Sequence, residues 1–184
     1  MRIHRLDVAD TLAIRALSRT LEQASIDVLI ANAGVMSVPP DTPLEAIDPE
    51  LWLRDLRINA IAPLECASAF LPQVARSGER KMIAISSRVG SIAANTTGGH
   101  YAYRSSKTAL NSAWRAFSFD HPEVISTLLS PGLIRTDMTR GDAVRWANGG
   151  TPEERAATLR GIIARLTDAD NGGFLHITGE TLPW

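Results

Sequence analysis

Apolar and polar positions along the chain follow two alternating rhythms. Short β-rich apolar runs, Ile26-Asp27-Val28-Leu29-Ile30-Ala31, Lys81-Met82-Ile83-Ala84-Ile85 and Val124-Ile125-Ser126-Thr127-Leu128-Leu129, each lead into a Gly, Ser or Pro cluster. Runs of that length bounded by turn residues read as buried strands. Between them the spacing turns helical over residues 9–24, with Leu12, Ile14, Leu17 and Leu21 on one side, and over 48–76, 100–118 and 151–166. Asp48-Pro49-Glu50 and Thr151-Pro152-Glu153-Glu154 both carry a helix start signal: a capping side chain, a proline at the first helical position and an early acid. Gly172-Gly173-Phe174-Leu175-His176-Ile177 reads as a last, shorter strand, and residues 139–150 as a flexible loop. Strands alternating with helices of this length predict an α/β fold with a mostly parallel sheet and helices on both faces.

In such folds ligands bind beyond the carboxyl ends of the strands. Each strand here ends in a polar, turn-rich loop: Asn32-Ala33-Gly34, then Ser86-Ser87-Arg88-Val89-Gly90-Ser91, then Ser130-Pro131-Gly132. These three loops share one rim, and residues 139–150 lie over it. With 184 residues and no internal repeat, tract or linker, a single domain spanning 1–184 is expected. Apolar residues make up 45%, charged residues 21% and the net charge is −1, which places the chain among soluble globular proteins. The absence of any Lys/Arg run argues against nucleic acid as a partner. No apolar stretch approaches the ~20 residues of a membrane span, and the charged start Met1-Arg2-Ile3-His4-Arg5-Leu6-Asp7 is unlike a signal peptide, so a cytoplasmic location is expected. Cys66 is the only cysteine and reads as a small hydrophobe on a helix, which leaves no disulfide and no thiolate metal cluster.

Tyr103 and Lys107 stand four apart in a helical stretch, so their side chains share a face. A free phenol is a poor proton donor near neutrality, but an ammonium close by stabilises the phenolate and draws its pKa down. Tyr103 is thus a candidate general acid/base. Reducing a carbonyl also needs a second donor on the oxygen as negative charge develops. Ser87, at the end of the preceding strand, fits that role. Ser91 is the alternative, because the long linker from Ala93 to His100 would let either converge.

Five segments carry a resemblance: Asn32-Ala33-Gly34; Asn59-Ala60-Ile61-Ala62-Pro63-Leu64; Ile85-Ser86-Ser87 with Gly90-Ser91-Ile92; Tyr103-Arg104-Ser105-Ser106-Lys107 with Ala109-Leu110-Asn111; and Ser130-Pro131-Gly132 through Met138. In order and spacing they resemble the short-chain dehydrogenase/reductase family, in particular its C-factor and Sniffer-like carbonyl reductases. The similarity runs from about Leu6 to Trp184. It implies a Rossmann-like fold, NAD or NADP as cofactor, a small-molecule carbonyl or alcohol substrate and a homo-oligomer. It further implies Tyr103 as proton donor, Lys107 as the group that lowers its pKa and holds the nicotinamide ribose, Ser87 as substrate-oxygen ligand, and Asn59 as the member that kinks the long helix. Asn32, Ala33 and Gly34 would lie along the cofactor, Pro131 and Gly132 would shape its nicotinamide end, Thr136 would bond near the carboxamide, and Asp7-Val8 would meet the adenine. Trp146 and Val144 would belong to a substrate lid.

The resemblance starts at the family's third strand, and no glycine-rich phosphate turn of the G-x-G-x-x-G kind appears. The chain therefore reads as N-terminally truncated relative to the family, without two strands, two helices and most pyrophosphate contacts, so weak cofactor affinity is expected. Left alone, strand Ile26–Ala31 would be an open apolar edge. Sliding a strand Arg2–Val8 beside it would give a five-stranded sheet, while a partner chain filling the gap is the competing solution. Three functional readings are compatible with this pattern: an oxidoreductase, a catalytically impaired remnant that acts by binding a partner or subunit, and a mis-started fragment of a longer reductase.

Overall fold

The computed structural model describes all 184 residues. Four parallel strands, β1 (Val28–Ala31), β2 (Lys81–Ile85), β3 (Ile125–Ser130) and β4 (Phe174–His176), lie in the order β1-β2-β3-β4. Six α-helices connect or flank them: α1 (Thr11–Thr20), α2 (Pro49–Leu56), α3 (Ala62–Ala75), α4 (Tyr101–Asp120), α5 (Ala143–Asn148) and α6 (Pro152–Arg165). The start signals legible in the sequence are present as caps. Asp48 accepts from the Glu50 amide, and Thr151 and Glu154 form a reciprocal capping box.

The sheet separates two apolar layers. On one side Trp114, Leu110 and Phe117 of α4 and Ala67 and Val74 of α3 pack against Met82, Ala84 and Leu128. On the other, Ile162 and Ile163 of α6 cover Ile83, Ile125 and Leu129. β3 is buried along its whole length, the expected state of a parallel strand covered on both faces.

Two expectations are corrected. Residues 1–10 form no strand, so the sheet has four strands, and β1 is its edge. The cause lies in how α1 docks. The Arg57 guanidinium donates to the Ala9 carbonyl at 2.9 Å, Thr11 donates to Glu65 at 2.8 Å, and Gln73 donates to the Ser18 carbonyl at 2.9 Å. These bonds tie the start of the chain to α2–α3 and hold it off β1. Leu6 and Val8 instead face Leu29, Ile30 and Ala31 across an apolar gap of about 370 Å³. The second correction concerns 139–150, which contains the short helix α5, capped by the Asp142 carboxylate on the Arg145 amide at 2.9 Å.

The helical stretch 48–76 is broken as well. A π-helical turn, Arg57–Ile61, separates α2 from α3. Pro63 has no N–H to offer the carbonyl four residues back, so the ladder widens where Asn59 sits.

Candidate active site

At the carboxyl ends of β1, β2 and β3 a cleft of about 640 Å³ opens. Among the residues lining it are Asn32, Gly34, Ser87, Tyr103, Lys107, Pro131, Gly132 and Thr136. The remaining sequence candidates lie elsewhere. Asn59 is fully buried behind the cleft, Ala33 and Val8 line the apolar gap beside β1, and Asp7 caps the chain ahead of α1 by accepting from the Ala9 amide at 2.9 Å. The pair Asp7-Val8 is therefore not joined to the cleft. Ser87 faces it, whereas Ser91 is buried and accepts from the Ala94 amide.

Each wall is held from behind. Asn59 accepts from the Val35 amide at 2.8 Å and donates to the Val35 carbonyl at 2.8 Å and to the Ser106 hydroxyl at 2.9 Å. One buried amide thus joins the loop after β1 to α4, and every part of it has a partner. Ser86 donates to Asn111 at 2.6 Å, tying the end of β2 to the same helix. Ahead of α4, Gly98, Gly99 and His100 all have positive φ, at 67°, 69° and 53°. The glycines adopt this freely; His100 carries the strain. Arg104 clasps that turn by donating to the carbonyls of Gly98, Gly99 and Val89, which sets where the helix begins and so where Tyr103 emerges. His100 also meets Arg145 of α5, fastening the short helix to the rim; burial and the two nearby arginines hold its imidazole below the usual pKa.

The electrostatics differ from the simple pairing expected of Tyr103 and Lys107. The ammonium lies 5.9 Å from the centre of the Tyr103 ring and donates to the Ile85 carbonyl at 2.8 Å. Burial pushes the phenol above its ordinary value; the neighbouring Ser87 hydroxyl and Arg145 pull it down, and Asp55 pushes it up. Burial also lowers Lys107 to about 8, against the opposing pull of Asp55. Desolvation is the largest influence on both groups in this state.

Asp55 is a site residue that the sequence reading misses. It is fully buried, accepts from the Ser37 amide at 2.9 Å and leaves its second oxygen without a partner. Its spacing, four residues before Asn59, is the signal that could have found it: the two side chains hold Val35 and Ser37 from successive turns.

A nicotinamide-ribose moiety suits the cleft. A Cβ on Gly34 would lie 3.4 Å from the Asn59 amide oxygen and 3.7 Å from the Lys107 nitrogen, so a side chain there would fill the space in front of both. Lys107 has one proton engaged by Ile85 and two left to donate. Gly132, at φ 68°, takes the left-handed conformation that turns the loop after β3.

The short chain dehydrogenase family model matches residues 1–144. The chain belongs to the short-chain dehydrogenase family. It is 39% identical to the C-signal of Myxococcus xanthus over 173 residues, covering 93% of this chain and 100% of that protein. The carbonyl reductase Sniffer of D. melanogaster superposes with a TM-score of 0.88 at 29% identity, covering 100% of this chain and 78% of that one. An NADPH-bound carbonyl reductase from chicken fatty liver superposes with a TM-score of 0.85 at 28% identity, covering 97% and 75% of the two chains. By lineage the protein is an oxidoreductase of a family that uses NAD(P), on a Rossmann-like α/β fold. No helix is long and apolar enough to cross a membrane.

Proposed function

We propose that the chain interconverts a small carbonyl compound and the corresponding alcohol, using NAD or NADP, with Tyr103 as the proton-transferring group. The observation that carries this reading is the convergence of Ser87, Tyr103 and Lys107 on one cleft whose back wall is locked by Asn59. Lys107, with its free protons toward Gly34, is the group to hold the ribose; Pro131, Gly132 and Thr136 line the part suited to the nicotinamide. Bound there, a nicotinamide supplies a hydride to a carbonyl carbon or accepts one from an alcohol. The chain's own residues handle the oxygen. Ser87 donates a hydrogen bond to it and so fixes the carbonyl's orientation. Tyr103 gives its phenolic proton to the same oxygen as charge builds there, and the reverse reaction returns it. A high resting phenol pKa keeps that proton in place until it is needed, and an ammonium nearby stabilises the phenolate left behind.

The test is a titration with NADH and NADPH read by tryptophan fluorescence, followed by turnover of simple aldehydes. Saturable binding below millimolar concentration and turnover that vanishes in Tyr103→Phe are expected. A second reading, a member that acts by binding a partner or subunit without turnover, draws support from the separation of Asp7 and Val8 from the cleft. It requires no cofactor binding up to millimolar concentration together with a defined oligomer.

A further inference from the structure

The geometry points to a carbonyl substrate that carries an anionic group, a carboxylate or phosphate, held by Arg88 in a second cavity behind Ser87. The inference rests on the hydride-transfer reading and names the substrate class for that site. This second cavity, about 450 Å³, shares Ser87 and Gly132 with the main cleft. A substrate whose oxygen sits on Ser87 has its remaining atoms directed into one of these two spaces. The main cleft holds the residues suited to the nicotinamide, so the second cavity is the room left for the body of the substrate.

The charge of that room is one-sided. Arg88, Arg104 and His176 line it, and no Asp or Glu does. Arg104 spends its donors on three backbone carbonyls yet keeps its full positive charge. Arg88 is exposed, and its guanidinium has no hydrogen bond and no ion pair within the protein. His176 engages Thr178 through Nδ1, and its Nε2 faces Gly132. Thr96 adds a hydroxyl to the lining. A free guanidinium next to a fixed cation, in a cavity without acids and on a chain of net charge −1, forms a local positive field that favours an anion by direct bonding and by steering. The loop that supplies Arg88 is pinned, since its backbone amide donates to the Ser130 hydroxyl at 3.0 Å, so the charge is offered from a fixed base.

The experiment compares 4-carboxybenzaldehyde with its methyl ester in wild type, Arg88→Ala and Arg88→Lys. We expect the acid to exceed the ester in kcat/KM by at least about fivefold. Arg88→Ala should collapse that ratio toward unity, and Arg88→Lys should retain part of it. Raising the salt concentration should erode the wild-type ratio. Binding is read separately from the Arg88 Nε–H signal of 15N-labelled protein titrated with the acid. If neither compound turns over but that signal shifts saturably, the hydride-transfer reading fails and the anion site stands. A ratio indifferent to Arg88→Ala, or no shift of the Arg88 signal, overturns the anion site.

Discussion

The rim beyond β2 and the free edge of β1 are adjacent, yet they are built in opposite ways. At the rim buried polar groups interlock: Asn59 makes three bonds, Ser86 reaches Asn111, and Lys107 reaches Ile85, with the Ser37 hydroxyl and the second Asp55 oxygen left unpartnered. At the edge, Leu6, Val8, Leu29 and Ile30 face an apolar gap of about 370 Å³, and β1 has a neighbour on one side only. Ile30 is 45% exposed there, in a strand whose centre-sheet counterparts are fully buried. The rim's geometry is closed among three strand ends, α4 and the α2–α3 helix. On the proposed reading the difference separates two properties: proton handling belongs to the rim, whereas Val8, expected from the resemblance to meet the adenine, lies on the edge.

The largest effect that would sharpen this comparison is chemical. Tyr103→Phe removes only a hydroxyl from the rim, and should lower NAD(P)H-dependent turnover by about 10²–10⁴-fold while leaving the thermal midpoint nearly unchanged. Turnover that survives in the variant would break the assignment of the rim.

Next in size is Lys107→Met. The folded chain holds the lysine proton less tightly than the unfolded chain, because burial lowers the group from 10.5 to about 8. Below about 8 the full penalty of charging it applies. Between about 8 and 10.5 the penalty fades, so this group makes stability rise with pH over that window. Removing it should stabilise the protein at pH 7 by on the order of 1–3 kcal/mol in urea denaturation, less whatever the orphaned Ile85 carbonyl costs, and should abolish turnover. A destabilised, active variant would contradict both halves.

Asp55→Asn probes the same region more gently. It keeps an oxygen for the Ser37 amide and deletes the charge, so Lys107 should titrate below about 8 and the alkaline limit of turnover should move down with it. The sequence contains only Lys81 and Lys107, so 13C-labelled lysine NMR reads the titration directly. An unmoved Lys107 would mean that Asp55 acts only as a clamp. The smallest effect belongs to the other region. Ile30→Lys should change stability by less than about 0.5 kcal/mol and reduce self-association in light scattering, since a charged edge resists strand addition. A large loss of stability would show that the edge is paired in solution.

Local periodicity alone determined much of this protein. The four strands, the capped starts of α2 and α6 and the shared face of Tyr103 and Lys107 follow from spacing within a few residues, because helix and strand geometry fixes those relations before any tertiary contact forms. The loops after β1, β2 and β3 were legible as one rim because parallel strands place their carboxyl ends on one side of the sheet. What tertiary structure decided involves partners distant in sequence. Arg57, Glu65 and Gln73 hold the start of the chain on α2–α3, so Leu6 and Val8 cover a gap where a fifth strand was expected. Asp55 is an ordinary helix-surface acid by pattern, and becomes a buried charge only because α2 packs against α4 and the loop at Ser37. The resting proton affinities of Tyr103 and Lys107 likewise depend on desolvation by the assembled rim, a property of the whole neighbourhood that no spacing of two residues encodes.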